Sequence, residues 1–212
     1  TKELRSYQQM VALLDEIESV LSDVDVASQA RLYYSIGTIY SDFAKAKGIS
    51  YEESLKKQLY CFRKSIDIVE NVEFSRKEYG PYVKGFKCNL YINYANTLSS
   101  CGRKIEAVAQ YKKAININPS FGMAFGNLGR VYRDYGVMDY DDGHQHYFHH
   151  FAYSLLQNAI ECKDPNTHEE AKECFKKIAS AYSPRYVEEF LLKDLVIPKF
   201  QCEDVAERLY RE

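Results

Sequence analysis

Four of the chain's five histidines fall in the run DYDDGHQHYFHHF, residues 139–151, beside three aspartates. On a helix starting near Gly143, His146 and His150 stand one turn apart, the spacing that lets two imidazoles share a metal ion. Asp142 would add an oxygen ligand, and His144 a further ring for acid–base work. The same segment carries Phe148, Phe151 and Leu155, which demand a buried face of their own. Three readings therefore stand side by side: histidines that edge a packed face, a functional surface, and a metal site. Packing is the expected one, with no metal and no cofactor. Cys162, His168 and Cys174 are spaced too widely for a standard zinc module.

Arg130 and Arg133 form the second set of reactive groups, one helical turn apart and close to asparagine. Guanidinium groups bind carboxylates through paired N–H donors, so the two make a seat for an acidic group. The alternative is that they pair with Asp134 or other nearby acids on a solvated face, where such pairs are common and weak. Covalent chemistry finds no support. GxSxG, GxxxxGK and HExxH are all absent, and no glycine-rich loop follows a strand. The expectation is a chain that is not an enzyme.

Stepping from these groups to the elements that must hold them, 212 residues at 46% hydrophobic content suffice for a sizeable core. A net charge of -2 predicts no special affinity for phosphate backbones or acidic membranes, so nucleic acid is not expected as a partner of this chain alone. No apolar run approaches the roughly 20 residues of a membrane span, and the N-terminus lacks a signal-peptide pattern. Six scattered cysteines without a CxxC pair predict reduced thiols and a cytoplasmic location. The chain opens at Thr1 and not Met, which leaves a trimmed terminus or a longer parent as the two readings.

Helical periodicity runs through nearly all of it. Leu4, Tyr7, Met10, Val11, Leu14, Ile17 and Leu21 mark an amphipathic helix, which Ser22–Asp25 ends. Asp23 or Asp25 is placed to cap the next helix, for which Gly48 is the expected stop. A helix from Tyr51 to Val69 buries Leu55, Leu59, Phe62 and Ile66. Residues 71–80 read as a connection, with Gly80-Pro81 as a break. Further helices are expected from Tyr82, over Gly122–Gly136, over the segment of Ala152, Leu156 and Ala159, and over that of Glu170, Ala171, Phe175 and Ile178. Ser183-Pro184 breaks the last of these. Two more helices follow, at 186–195 and 203–211. The close glycines of GMAFGNLG are expected to allow close helix approach, with room for a ligand as the alternative.

Within YINYANTLSSCGRKIEAVAQYKKAININP, residues 91–119, Tyr91, Tyr94, Ala95, Leu98, Gly102, Ala107, Tyr111, Ala114 and Pro119 fall at the offsets of one tetratricopeptide repeat. The stretch resembles that family closely. Ala95 and Ala107 sit where two antiparallel helices press together, and Gly102 sits in the turn. The offsets recur at Tyr33, Ile36, Gly37 and Tyr40 with roughly nine extra residues, and at Phe125, Leu128, Gly129, Tyr132 and Gly136 with roughly eleven. The implied fold class is all-α, a right-handed α-solenoid of TPR-like helical hairpins. It would form a single domain over 1–212, with an N-terminal helix over 1–24, hairpins over 25–70, 82–121 and 122–165, and terminal helices over 166–212.

The resemblance also implies a concave groove lined by the first helix of each hairpin, holding a protein or peptide. In the family's register, Arg31, Tyr34, Asn89, Ile92, Asn96, Ser99, Arg130 and Arg133 face it. We take Tyr34, Asn89, Asn96, Arg130 and Arg133 as the ligand-binding set, and Asp142, His144, His146 and His150 as a separate functional cluster. The set is similar to the carboxylate clamp of chaperone-binding repeats, although Tyr34 stands where that family has a lysine. Residues 119–160, with PSFGMAFGN, DxGH at Asp141–His144 and FAYSLLQNAI, resemble the helical N-terminal region of a bacterial family that carries a C-terminal HEPN domain. Such domains are often ribonucleases of bacterial defence that use an arginine followed at short spacing by a histidine. No such pair occurs here, so this resemblance places the catalytic half beyond Glu212. The leading expectation is a protein-binding scaffold, the sensing part of a larger HEPN-type effector, with self-association open. The alternative is an RNA-positioning or hydrolytic module built on the histidine–acid cluster at 139–150.

Overall fold

The computed structural model describes residues 9, 12–17, 19–45, 50–71, 76–138, 142–162 and 168–180. Among these the secondary structure is helical throughout, with no strand. After a short helical stretch at 12–17 and a 3-10 turn at Leu21–Asp23, seven α-helices follow. They are α1 (Val26–Lys45), α2 (Tyr51–Asn71), α3 (Arg76–Ser100), α4 (Lys104–Ile117), α5 (Gly122–Met138), α6 (Asp142–Glu161) and α7 (His168–Ser180). The chain divides into two compact units, Thr1–Asn118 and Pro119–Glu212. In the first, α1 packs on α2, α2 on α3, and α3 on α4; in the second, α5 packs on α6 and α7 on both. The all-α hairpin architecture expected from the sequence is what the structure has. The helices expected at 186–195 and 203–211, the stop at Gly48 and the break at Ser183-Pro184 lie outside the described residues.

Local chemistry explains the boundaries. Asp25 Oδ1 accepts the Ser28 N–H at 3.0 Å and so caps α1. The side-chain and backbone bonds from Ser28 hold the Asp25 carboxyl below the usual aspartate range. Ser50 Oγ accepts the Glu53 N–H at 3.1 Å and caps α2 in the same way. The α3–α4 turn closes on a Schellman pair: Gly102 N donates to Ser99 O at 3.0 Å, and Arg103 N donates to Leu98 O at 2.9 Å. This geometry needs a left-handed residue, and Gly102 supplies it at φ 78°. Asn118 N donates to Ala114 O at 3.0 Å, and Pro119 follows.

The buried residues of α2 (Ser54, Gln58, Cys61, Phe62, Ser65, Ile66 and Val69) recur every three or four positions, one stripe of a helix. In α3 and α4, Ala95 and Ala107 are both fully buried, with Tyr91, Leu98 and Tyr111 packed around them. Small-against-large contacts also close the flanking hairpins. A Cβ on Gly37 would lie 2.7 Å from the Phe62 ring, and one on Gly129 would lie 2.9 Å from Leu156. Gly122 and Gly126 are buried as well, in line with close approach. Leu14 and Leu21 join Ile36, Tyr40 and Cys61 in a cluster that ties the N-terminal stretch to α1 and α2.

Two local expectations are corrected. The segment 71–80 is not all connection, because α3 begins at Arg76 and runs through Gly80-Pro81. Proline removes one N–H near the start of a 25-residue helix, and the rest of that helix outweighs the loss. The extra residues of the third hairpin do not make a long loop either. α5 extends to Met138 and α6 already starts at Asp142, so helix absorbs most of them. In the first hairpin the additions likewise lengthen the helices, to 20 and 21 residues against 14 in α4.

Candidate functional site

α1 and α3 flank an open cleft of about 490 Å³ in the first unit, floored by α2. Leu55, Gln58 and Phe62 form its base, Thr38, Ser41 and Asp42 come from α1, and Asn93, Asn96 and Ser100 come from α3. Asn89, Asn93, Asn96 and Ser100 succeed one another at helical spacing along one side of α3. Asn89 and Asn96 are exposed.

A chain of buried hydrogen bonds supports the base. Ser54 Oγ donates to Tyr40 O at 2.6 Å, and Gln58 Nε2 donates to Ser54 Oγ at 2.8 Å. Thr97 Oγ1 then lies 3.0 Å from Gln58 Oε1 and 2.9 Å from Asn93 O. Ser54, Gln58 and Thr97 are almost wholly buried, so these bonds satisfy groups that water does not reach. The chain joins α1, α2 and α3 at the floor of the cleft.

The two amides at the rim are each held from behind. Asn93 Nδ2 donates to Tyr34 Oη at 3.0 Å, and Tyr34 packs edge-on to Phe86 at 5.4 Å between ring centroids. Burial pushes the Tyr34 phenol up from its ordinary pKa, and the Asn93 bond offsets part of this. Tyr111 Oη, from α4, donates to Asn96 Oδ1 at 2.6 Å. Asn93 is thus fixed through its amide nitrogen and Asn96 through its carbonyl oxygen, a turn apart on α3.

Of the residues expected to face the groove, Tyr34 supports Asn93 from behind. Ile92 is fully buried, a correction: it belongs with Cys88 and Ala95 to the stripe that packs against α4, where hydrocarbon is held most favourably. Asn93, Thr97 and Gln58 were not singled out from the sequence. The signal for Asn93 was its place midway between Asn89 and Asn96.

Arg130 and Arg133 lie in the second unit on α5. Arg130 Nη1 bonds Glu170 Oε2 of α7 at 3.0 Å, and its other nitrogen reaches Asn127 Oδ1. Arg133 donates to Asp134 Oδ1 at 2.6 Å and to Cys174 Sγ at 3.1 Å. Both guanidinium groups therefore have partners within their own unit.

α6 carries the histidine run, and its backbone sets His146 and His150 one turn apart as expected. The side chains of Asp142, His144, His146 and His150 lie outside the described residues. The described part of the run is packed. His149 is 5% exposed, and a Cβ on Gly136 would come within 2.5 Å of its ring. Phe148 stacks on Tyr132 at 6.4 Å between ring centroids, and Phe151 lies tilted against it at 5.8 Å. Among the described residues, no group of three His, Cys, Asp or Glu side chains is placed to hold a metal ion. Among the described residues, Cys61, Cys88, Cys101, Cys162 and Cys174 are not joined in disulfides. No helix among the described residues is long and apolar enough to cross a membrane.

The paired alanines, the glycine turn and the cleft flanked by first helices agree with the comparison to known families. Residues 89–121 match the tetratricopeptide repeat. The match spans α4, the C-terminal half of α3 and the residues up to Phe121, so Asn93, Asn96 and Thr97 lie within it. Repeats of this type serve in general as surfaces for other proteins. No curated protein matches the chain.

Proposed function

We propose that this chain is a peptide-binding scaffold and that the cleft between α1 and α3 is its principal binding surface. The observation that carries this reading is the pair of braced amides inside the matched repeat. Asn93 and Asn96, fixed by Tyr34 and Tyr111, stand a turn apart at the cleft, where primary amides are the groups that pair with a peptide backbone. Rigid side chains on helices lower the ordering cost of capturing a flexible segment. Asn89 extends the polar row along α3. In the second unit, Arg130 and Arg133 form a candidate seat for an acidic group, which would have to compete with Glu170 and Asp134. The finer reading, the sensing part of a larger HEPN-type effector of bacterial defence, rests on the resemblance of residues 119–160 alone.

A library of random nonapeptides, displayed and selected on the purified chain, tests the reading. Selected peptides should bind in the micromolar range, on the order of 8 kcal/mol. The Asn93→Ala/Asn96→Ala variant should lose most of that affinity while staying folded. The Arg130→Ala/Arg133→Ala variant should weaken only acidic sequences. A library that yields no binder overturns the proposal. Cleavage of single-stranded RNA by the chain, abolished by His144→Ala or His146→Ala, would put the hydrolytic alternative in its place.

A further inference from the structure

Asn93 is held at both ends. Its carbonyl accepts the Thr97 hydroxyl at 2.9 Å, and its side-chain Nδ2 donates to Tyr34 Oη at 3.0 Å. Tyr34 is itself fixed by two rings, tilted against Phe62 at 6.0 Å and edge-on to Phe86 at 5.4 Å between centroids. A rigid hydroxyl thus takes one N–H of the amide and keeps it from turning over. Asn93 lines the cleft and is half-buried, and among the described residues nothing hydrogen-bonds its Oδ1. A primary amide carries two N–H donors and an oxygen with two lone pairs. With one N–H committed to Tyr34, the oxygen keeps its full capacity. Tyr111 meets the Asn96 amide at the other end, through Oδ1. The bracing partner, and not the residue type, therefore decides the sense in which each amide is held.

We infer that Tyr34 is a positioning residue which makes Asn93 a hydrogen-bond acceptor toward the ligand, so that the cleft takes a peptide segment with a main-chain N–H at that place. The inference rests on the peptide-binding reading above and adds the polarity of one contact to it. A donor there satisfies an oxygen that the fold leaves open. A carboxylate there would set acceptor against acceptor and give up water without gaining that bond. The contact involves no formal charge, so the preference should not depend on salt.

The nonapeptides selected on the wild-type chain give the test, with each main-chain N–H in turn replaced by an ester oxygen. One position should lose about three- to tenfold in affinity, the worth of a single net hydrogen bond. In Asn93→Ala the same ester should cost nothing further, because its partner is gone. Tyr34→Phe keeps the ring contacts and removes the hydroxyl, so the chain should stay folded by circular dichroism. Its amide can then offer either end, and the ester penalty should shrink, whereas a merely structural role for Tyr34 would leave that penalty whole. The ester series on the wild-type chain needs no variant and is the first arm. A series with no sensitive position would overturn the inference, and so would a penalty that survives in Asn93→Ala or stays whole in Tyr34→Phe. If the ester series is flat but Asn93→Ala/Asn96→Ala loses affinity, peptide binding stands and only the acceptor role falls. If no peptide is selected, both fall.

Discussion

The first and third hairpins close on the same contact and use their surfaces differently. Each sets a glycine of its first helix against a large side chain of its second, Gly37 against Phe62 and Gly129 against Leu156. The first shares with α3 an open cleft lined by hydroxyls, amides and Asp42, with buried polar groups bonded to one another beneath it. In the third, the corresponding crevice beside Gly126 and Leu156 is small and bordered by Arg130 and Glu170, which bond across it. A shared packing rule thus leaves the outer side of the first helix free to vary. Hairpin packing and the chemistry of the exposed face are set by different residues.

The packing half of this comparison should give the largest effects. Phe62→Ala should cost about 3–5 kcal/mol and Leu156→Ala about 2–5 kcal/mol in urea unfolding, since each leaves a cavity opposite a glycine that cannot fill it. A small loss at either site would mean that its hairpin is not closed by that contact. In the hairpin between them, Ala107→Leu should overpack the fully buried contact with α3 and cost about 1–3 kcal/mol. An unchanged melting temperature would break the equivalence of the three hairpins.

The polar half is tested by a pair of substitutions. Thr97→Val alone should cost about 1–3 kcal/mol, because it strips the partner from the buried Gln58 Oε1. Gln58→Leu added to it should restore part of that loss, as the stranded carbonyl is then gone too. Strict additivity in the double variant would show that the two side chains do not act as a unit.

Smallest are the exposed ion pairs. Glu170→Gln should change stability by about 0–1 kcal/mol, because Arg130 and Glu170 are both well solvated. Glu70 should leave a pH signature of the same modest size. The Lys113 ammonium beside it, 2.8 Å away, together with the Tyr91 hydroxyl, holds its carboxyl below the ordinary value of 4.5. Its contribution is therefore complete above that pH and is lost as pH falls through the lowered folded value. Comparison of wild type with Glu70→Gln by urea unfolding at neutral pH and in acid should show the difference shrinking on the acid side. A difference that grows there would reverse the assignment.

What was legible in the sequence follows from which residues backbone geometry constrains. Ala95, Ala107 and Gly102 can be read by spacing because two helices at contact distance, and a left-handed turn, admit few alternatives. The same holds for Gly37 and Gly129. Polar residues on an open helix face are under no such steric limit, so the spacing of Asn89 and Asn96 points to Asn93 but its support by Tyr34 shows only in the fold. The bond between Arg130 and Glu170 needs α7 to be in place, 40 residues along the chain. Gly80-Pro81 reads as a stop because local rules are strong, yet the helix continues across it. His149 was not among the histidines singled out by spacing, and its contact with Gly136 on the neighbouring helix marks it as a packed side chain.

The bonded series from Tyr40 through Ser54 and Gln58 to Thr97 acts as a detent. Two helices joined only by hydrocarbon can slide along each other by a fraction of a turn at little cost, because apolar contact has no direction. Directional bonds inside a seam fail together under the same slip, and each buried group left behind is expensive. Replacing the series with leucines is therefore expected to yield a firmer but less singular assembly, in which α1 and α3 drift along α2. Everything displayed above it, from Asp42 to Asn96, would lose its fixed mutual spacing.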